Sequence, residues 1–144
     1  MLAMSSSLAL ATAVTFVWLG MVIAISFLEA PLKFRAPGVT LPIGLGIGRL
    51  VFRALNIAEL LLAVILAVGL LTEMPTARIN FSGAVPVAAL VVQIGFVRPL
   101  LSRRSDGVLA GEDVPRSRAH YWYVGLEVVK IIGLLATGVQ LLTT

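Results

Sequence analysis

Residues 48–67 read GRLVFRALNIAELLLAVILA, and the polar residues set deepest inside this apolar run, Arg53, Asn56 and Glu59, decide how the chain is read. The run is about as long as the hydrocarbon core of a bilayer requires of one helix. A charge near the bilayer centre costs at least about 2.5–3.5 kcal/mol, so such residues turn towards a bundle interior and mark a pathway or a site. A second run of the same kind, residues 119–142, carries Glu127 and Lys130.

Working outward, the composition agrees with a membrane chain. Of 144 residues, 59% are hydrophobic and 12% charged, whereas soluble domains carry roughly 25% charge. Four apolar helices at about 20 residues each account for most of the length and leave no room for a second folded domain. The expected fold is all-α: one integral membrane four-helix bundle over 1–144, with helices near 8–31, 41–72, 83–101 and 115–142. The chain has no cysteine, which excludes disulfides, thiolate metal sites and thiol catalysis. The net charge of +4 reflects basic residues flanking the apolar runs rather than lining a soluble face, so topology and not nucleic acid is its cause.

Local signals set the boundaries. MLAMSSS lacks the basic stretch of a signal peptide, so the first run reads as a retained helix. It is expected to stop near Pro31, because proline disfavours a helical residue before it, which puts Glu29 and Lys33 at an interface. Thr40 followed by Pro42 starts the second helix, at about 48 Å longer than a hydrocarbon core. Its first turns then lie among headgroups or tuck back against the bundle, with Arg49 interfacial. Pro86 suits the first turn of the third helix. The segment 102–118 reads as a polar loop with an Asp106-Gly107 turn, and Asp113 and Pro115 suit the start of the fourth helix.

Nine of the eleven basic residues lie in or beside the first and third connections, Arg116 among them; the second connection has Arg78 alone. The positive-inside bias therefore places both termini on the non-cytoplasmic side, and the absence of an organelle signal together with the compact loops points to a bacterial inner membrane. Counted inward from the cytoplasmic face, Arg53 is shallow, Glu59 is near the middle, and Glu127 lies roughly 10 Å past His120.

Arg49, Phe52, Arg53, Asn56 and Glu59 recur at spacings of three and four, as do His120, Tyr123, Glu127 and Lys130, so each set forms a stripe on its helix. If the stripes face each other, Arg53 or Lys130 neutralises Glu59 or Glu127, and Asn56 and Gln93 complete the hydrogen bonds, leaving a neutral cluster tolerable at low dielectric. Such a cluster either holds the bundle together or lines a cavity; at i and i+3, Glu127 and Lys130 can also pair on one helix. Gly44 and Gly48 suit close helix packing rather than phosphate binding, since no strand precedes them. His120, the sole histidine, beside Tyr121, Trp122 and Tyr123, reads as part of an interfacial aromatic belt. A single histidine also argues against bis-imidazole haem, and no metal motif or cofactor fingerprint is present.

At Trp18 to Gly20, Glu29 to Phe34 and Gly48 to Phe52 the chain resembles the transmembrane-protein-205-like family of four-helix membrane proteins, over about its first half. The stretch His120 to Lys130 departs from that pattern. The resemblance implies a four-helix membrane fold and brings no established activity.

Three function classes follow. The first is an accessory subunit or a binder of a lipophilic molecule, with the charged cluster lining a cytoplasm-facing pocket. The second is a small proton-coupled exporter using Glu59 or Glu127, although nearby cations would hold those acids ionised. The third is an intramembrane enzyme acting on a lipid or quinone-like substrate, with Glu127 and Tyr123 or Lys130 as acid and base. Besides the lipid bilayer, a homodimer or larger membrane complex is expected from the small-residue spacings Ala9/Ala13, Gly20/Ala24 and Ala63/Ala67.

Overall fold

The computed structural model describes residues 4–113, 115 and 118–144. Four long helices cover most of them: α1 (Ser6–Lys33), α2 (Leu41–Glu73), α3 (Ala77–Leu109) and α4 (Arg118–Leu142), each long and apolar enough to cross a membrane. Their sides away from the bundle are apolar and exposed, as at Leu50, Leu61, Leu71, Phe81 and Phe96. That is the surface a helix presents to lipid, where its backbone hydrogen bonds are satisfied internally.

The starts of α1 and α2 follow the sequence. Ser5 Oγ accepts from the Leu8 N–H at 3.2 Å, and Thr40 Oγ1 accepts from the Ile43 N–H at 3.4 Å, each satisfying a backbone donor that a helix start leaves open. The long first turns of α2 do tuck back: they pack against the last turns of α3, where Arg49 Nη1 meets Asp106 Oδ1 at 2.6 Å.

Two expected boundaries are corrected. Helix α1 does not stop at Pro31 but runs through it to Lys33, after a π-helical stretch, Ile23–Glu29. Helix α3 is not confined to 83–101 but spans Ala77–Leu109, with its own π-helical stretch, Gln93–Val97, just before Pro99. The two π-helical stretches share one cause. A proline lacks the N–H for the carbonyl four residues back and its ring crowds that carbonyl. A widened turn before it lets the preceding residues bond five back: the Ala30 N–H donates to Ile25 and the Arg98 N–H to Gln93.

Pro86 likewise sits inside α3 rather than in its first turn. It packs beside Gly133 of α4, where any side chain would collide with the ring. The Asp106-Gly107 pair is helical and not a turn; Val108 is buried and Asp106 is held by Arg49, so continuing the helix gains packing and an ion pair. The reversal comes at Gly111, with φ +88°. The expected start of the fourth helix runs through Arg116 and Ser117, which lie outside the described residues; α4 is described from Arg118.

The main core joins α1, α2, α3 and α4 through Trp18, Val22, Leu66, Leu70, Leu90 and Leu134. Helices α3 and α4 also share a small polar contact: Thr137 Oγ1 donates to Ser82 Oγ, which donates to Gln140 Oε1, both at 3.0 Å. Helix α1 packs on α4 mainly through its first half, Ser6–Val22, and no residue of Ile23–Glu29 is buried. The bundle is therefore tight towards the termini and looser towards the first and third connections.

Candidate functional site: a sealed ion network beneath a cavity

At the middle of the bundle Lys130 Nζ lies 2.5 Å from Glu59 Oε2 and 2.5 Å from Glu127 Oε1. One ammonium thus closes both the i,i+3 pair on α4 and a bridge to α2. The three side chains are 0–1% exposed. An ion in such surroundings has to have its remaining hydrogen-bonding capacity satisfied, and every helix contributes. Trp18 Nε1 of α1 donates to Glu59 Oε2 at 2.7 Å, and Asn56 Nδ2 donates to Glu59 Oε1 at 3.2 Å. Glu127 accepts from Ser26 Oγ at 2.5 Å and from Gln93 Nε2 at 2.7 Å.

The two π-helical stretches converge here. Ser26 lies in one and Gln93 in the other, and both donate to the same carboxylate. Such widened turns often occur at functional sites. In this molecule they follow from Pro31 and Pro99 and deliver the only two hydrogen bonds that Glu127 receives apart from its lysine, among the described residues.

Six of the seven expected cluster residues meet: Asn56, Glu59, Gln93, Tyr123, Glu127 and Lys130. Arg53 does not; it is exposed. Six residues before Glu59, at 3.6 residues per turn, it stands about 120° around α2, off the stripe that spacings of three and four suggested. Without it the network holds two carboxylates against one ammonium, so it is not the balanced cluster expected.

Two donors were missed. Trp18 entered the sequence reading only through the resemblance, and Ser26 not at all. Trp18 lies on the buried stripe of α1 that runs through Thr15, Trp18 and Val22, and the same register continues to the half-buried Ser26.

The interfacial residues lie nearer the first and third connections. Lys33 Nζ is 3.7 Å from Glu29 and sits over the rings of Phe34 and Phe52 at 5.6 and 5.7 Å. His120 stands edge-on to Tyr121 with ring centroids 5.6 Å apart, consistent with an aromatic belt. Gly44 seats the Phe34 ring and Gly48 the Lys33 ammonium, the close approach expected of them. Between these residues and the ion network is a cavity of about 460 Å³, with Glu127, Ser26 and Tyr123 at its inner end and Phe27, Phe34, Phe52 and Val124 among its walls. Phe52 meets Tyr123 edge-on at 5.7 Å. No cluster of potential metal ligands occurs among the described residues.

Comparison with protein-family models, with curated proteins and with solved structures finds no match. The chain is a small four-span helical membrane protein with a buried charged cluster at Glu59, Glu127 and Lys130.

Proposed function

We propose that the chain binds a lipophilic molecule in this cavity, acting alone or as the accessory subunit of a larger membrane complex. The observation that carries the reading is the cavity itself: about 460 Å³, with aromatic and aliphatic walls interspersed with polar and charged side chains, concave and partly apolar as small-molecule sites are. Arg49, Arg98 and Arg104 line it, and the clustering of basic residues at this end supports a cytoplasmic mouth and non-cytoplasmic termini, in a bacterial inner membrane. The resemblance to transmembrane-protein-205-like proteins supports the same four-helix reading. Of the spacings that suggested self-association, Ala63 and Ala67 turn into the bundle, whereas Ala9, Ala13, Gly20 and Ala24 are exposed.

The test is native mass spectrometry of the protein extracted from its own membrane. A retained lipophilic species is expected, and Val124→Trp, which fills the cavity from a wall position, sheds it. Wild-type protein carrying no adduct, or a variant carrying the same one, contradicts the reading.

Proton-coupled export is the second reading, and its specific support is the imbalance of two carboxylates and one ammonium, which a proton would offset. Glu59→Gln and Glu127→Gln should then abolish transport in folded protein; transport retained in both removes it. The enzymatic reading draws no comparable support, because the proposed acid and base, Glu127 and Lys130, are bonded to each other.

A further inference from the structure

Two buried donors in the cavity wall have no acceptor, and a half-buried guanidinium beside them makes no ion pair. The guanidinium is Arg98, which makes no ion pair and no side-chain hydrogen bond among the described residues. The buried donors are the Arg104 Nε and the Tyr123 hydroxyl; the hydroxyl lies beside the Asn56 side chain, within electrostatic reach of Glu127 and Glu59 and of Arg98. Tyr123 is only 6% exposed. Leaving buried donors unpaired is costly, and more so for a charged group, so such atoms call for an explanation.

Three other charges of this cavity have ion-pair partners: Lys33 has Glu29, Arg49 has Asp106, and Glu127 shares Lys130 with Glu59, which leaves one carboxylate in excess at the inner end. What remains is two guanidinium groups and one hydroxyl, in a cavity that His120 and Ser105 also line beside its apolar walls. The group that satisfies all three is an anionic oxygen acceptor, a carboxylate or phosphate, with which arginine forms its strongest hydrogen bonds.

The cavity also has a way out for a hydrocarbon chain. The half of α1 beyond Val22 touches α4 through Ser26 but packs little against it elsewhere, and Phe27 and Phe34 are both cavity-lining and exposed. An apolar tail leaving there enters the bilayer directly, and the head stays at the depth of Arg98 and Arg104.

We propose that the cavity takes an anionic amphiphile, its carboxylate or phosphate head held by Arg98, Arg104 and the Tyr123 hydroxyl and its hydrocarbon tail passing beside Phe27 and Phe34 into the lipid. This deepens the lipophile-binding reading and rests on it.

The experiment measures binding to purified protein in nanodiscs of zwitterionic lipid. The probes are a fluorescent long-chain fatty acid, the alcohol and the trimethylammonium compound of the same chain, a single-chain phosphate monoester, and inorganic phosphate. Both anionic amphiphiles are expected to bind at least about tenfold tighter than the alcohol or the cation, and Arg98→Gln or Arg104→Gln each to lose about tenfold for the anions with no change for the alcohol. Arg103→Gln, an exposed neighbour on the same helix, should leave all values unchanged. Equal affinity for the anionic and cationic probes, or affinities unmoved by both cavity variants, overturns the proposal while leaving a lipophile site intact. Inorganic phosphate binding as tightly as the amphiphiles also overturns it, because the tail then contributes nothing. If no chain-bearing probe binds at all, the lipophile reading itself fails.

Discussion

The two ends of the bundle treat polar groups in opposite ways. In the middle, towards the termini, Glu59, Glu127 and Lys130 are sealed and each is bonded to more than one neighbour. Towards the first and third connections, Arg98, Arg104 and Tyr123 face a cavity, and the Arg104 Nε and the Tyr123 hydroxyl have no acceptor there. The first arrangement specifies how four helices meet, since each of them supplies a partner. The second contributes little to that and leaves chemistry available for something else. Intramembrane charge thus serves architecture in one region and recognition in the other, and Glu127 is where they touch.

The comparison breaks most visibly at Lys130. Lys130→Met removes the sole ammonium in contact with two buried carboxylates, and removing one partner of a buried ion pair typically costs about 3–5 kcal/mol. Its thermal unfolding in detergent should collapse, or the protein should fail to accumulate; a variant as stable as wild type would show that the network is not what joins the helices. A smaller effect is expected of Trp18→Phe, which keeps an aromatic ring in the core and deletes one hydrogen bond to a charged acceptor, about 1.5–3 kcal/mol. Unfolding midpoints of Trp18→Phe, Glu59→Gln and the double variant should be non-additive, because the first change deletes a hydrogen bond to the carboxylate and the second removes the charge that strengthens it. Smallest is Arg53→Gln: an exposed residue off the buried stripe should shift stability by no more than about 0.5 kcal/mol, and a large loss would return Arg53 to the network.

The four spans were legible because apolar runs of bilayer length leave few alternatives, and Asn56, Glu59, Gln93, Glu127 and Lys130 because polar residues at that depth must find one another. What the sequence hid has two physical origins. Pro31 was read as a stop and Pro86 as a first-turn residue, as they would be in water. In lipid a break in the helix would expose backbone groups with no solvent to satisfy them, so the chain widens a turn and continues. Arg53 and Ser26 were misjudged for a different reason: spacings of three and four leave a stripe about 100° wide, and following the charges along its edge is less informative than following the apolar residues along its centre.

The absence of cysteine offers the most direct test of the central claim, that a solvent-reachable cavity ends at a sealed network. Ser26→Cys is nearly isosteric and lies at the inner end of the cavity. Leu28→Cys has almost the same depth on the lipid-facing side, where Leu28 is 58% exposed, and Thr15→Cys is in the sealed core at 0%. Treated in native membranes with a small charged thiol reagent, Ser26→Cys should label, and only from the side bearing the first and third connections, while Leu28→Cys and Thr15→Cys stay inert. A Ser26→Cys protein as unreactive as Leu28→Cys would mean that the cavity is closed to the outside, and the account of the open end would be wrong.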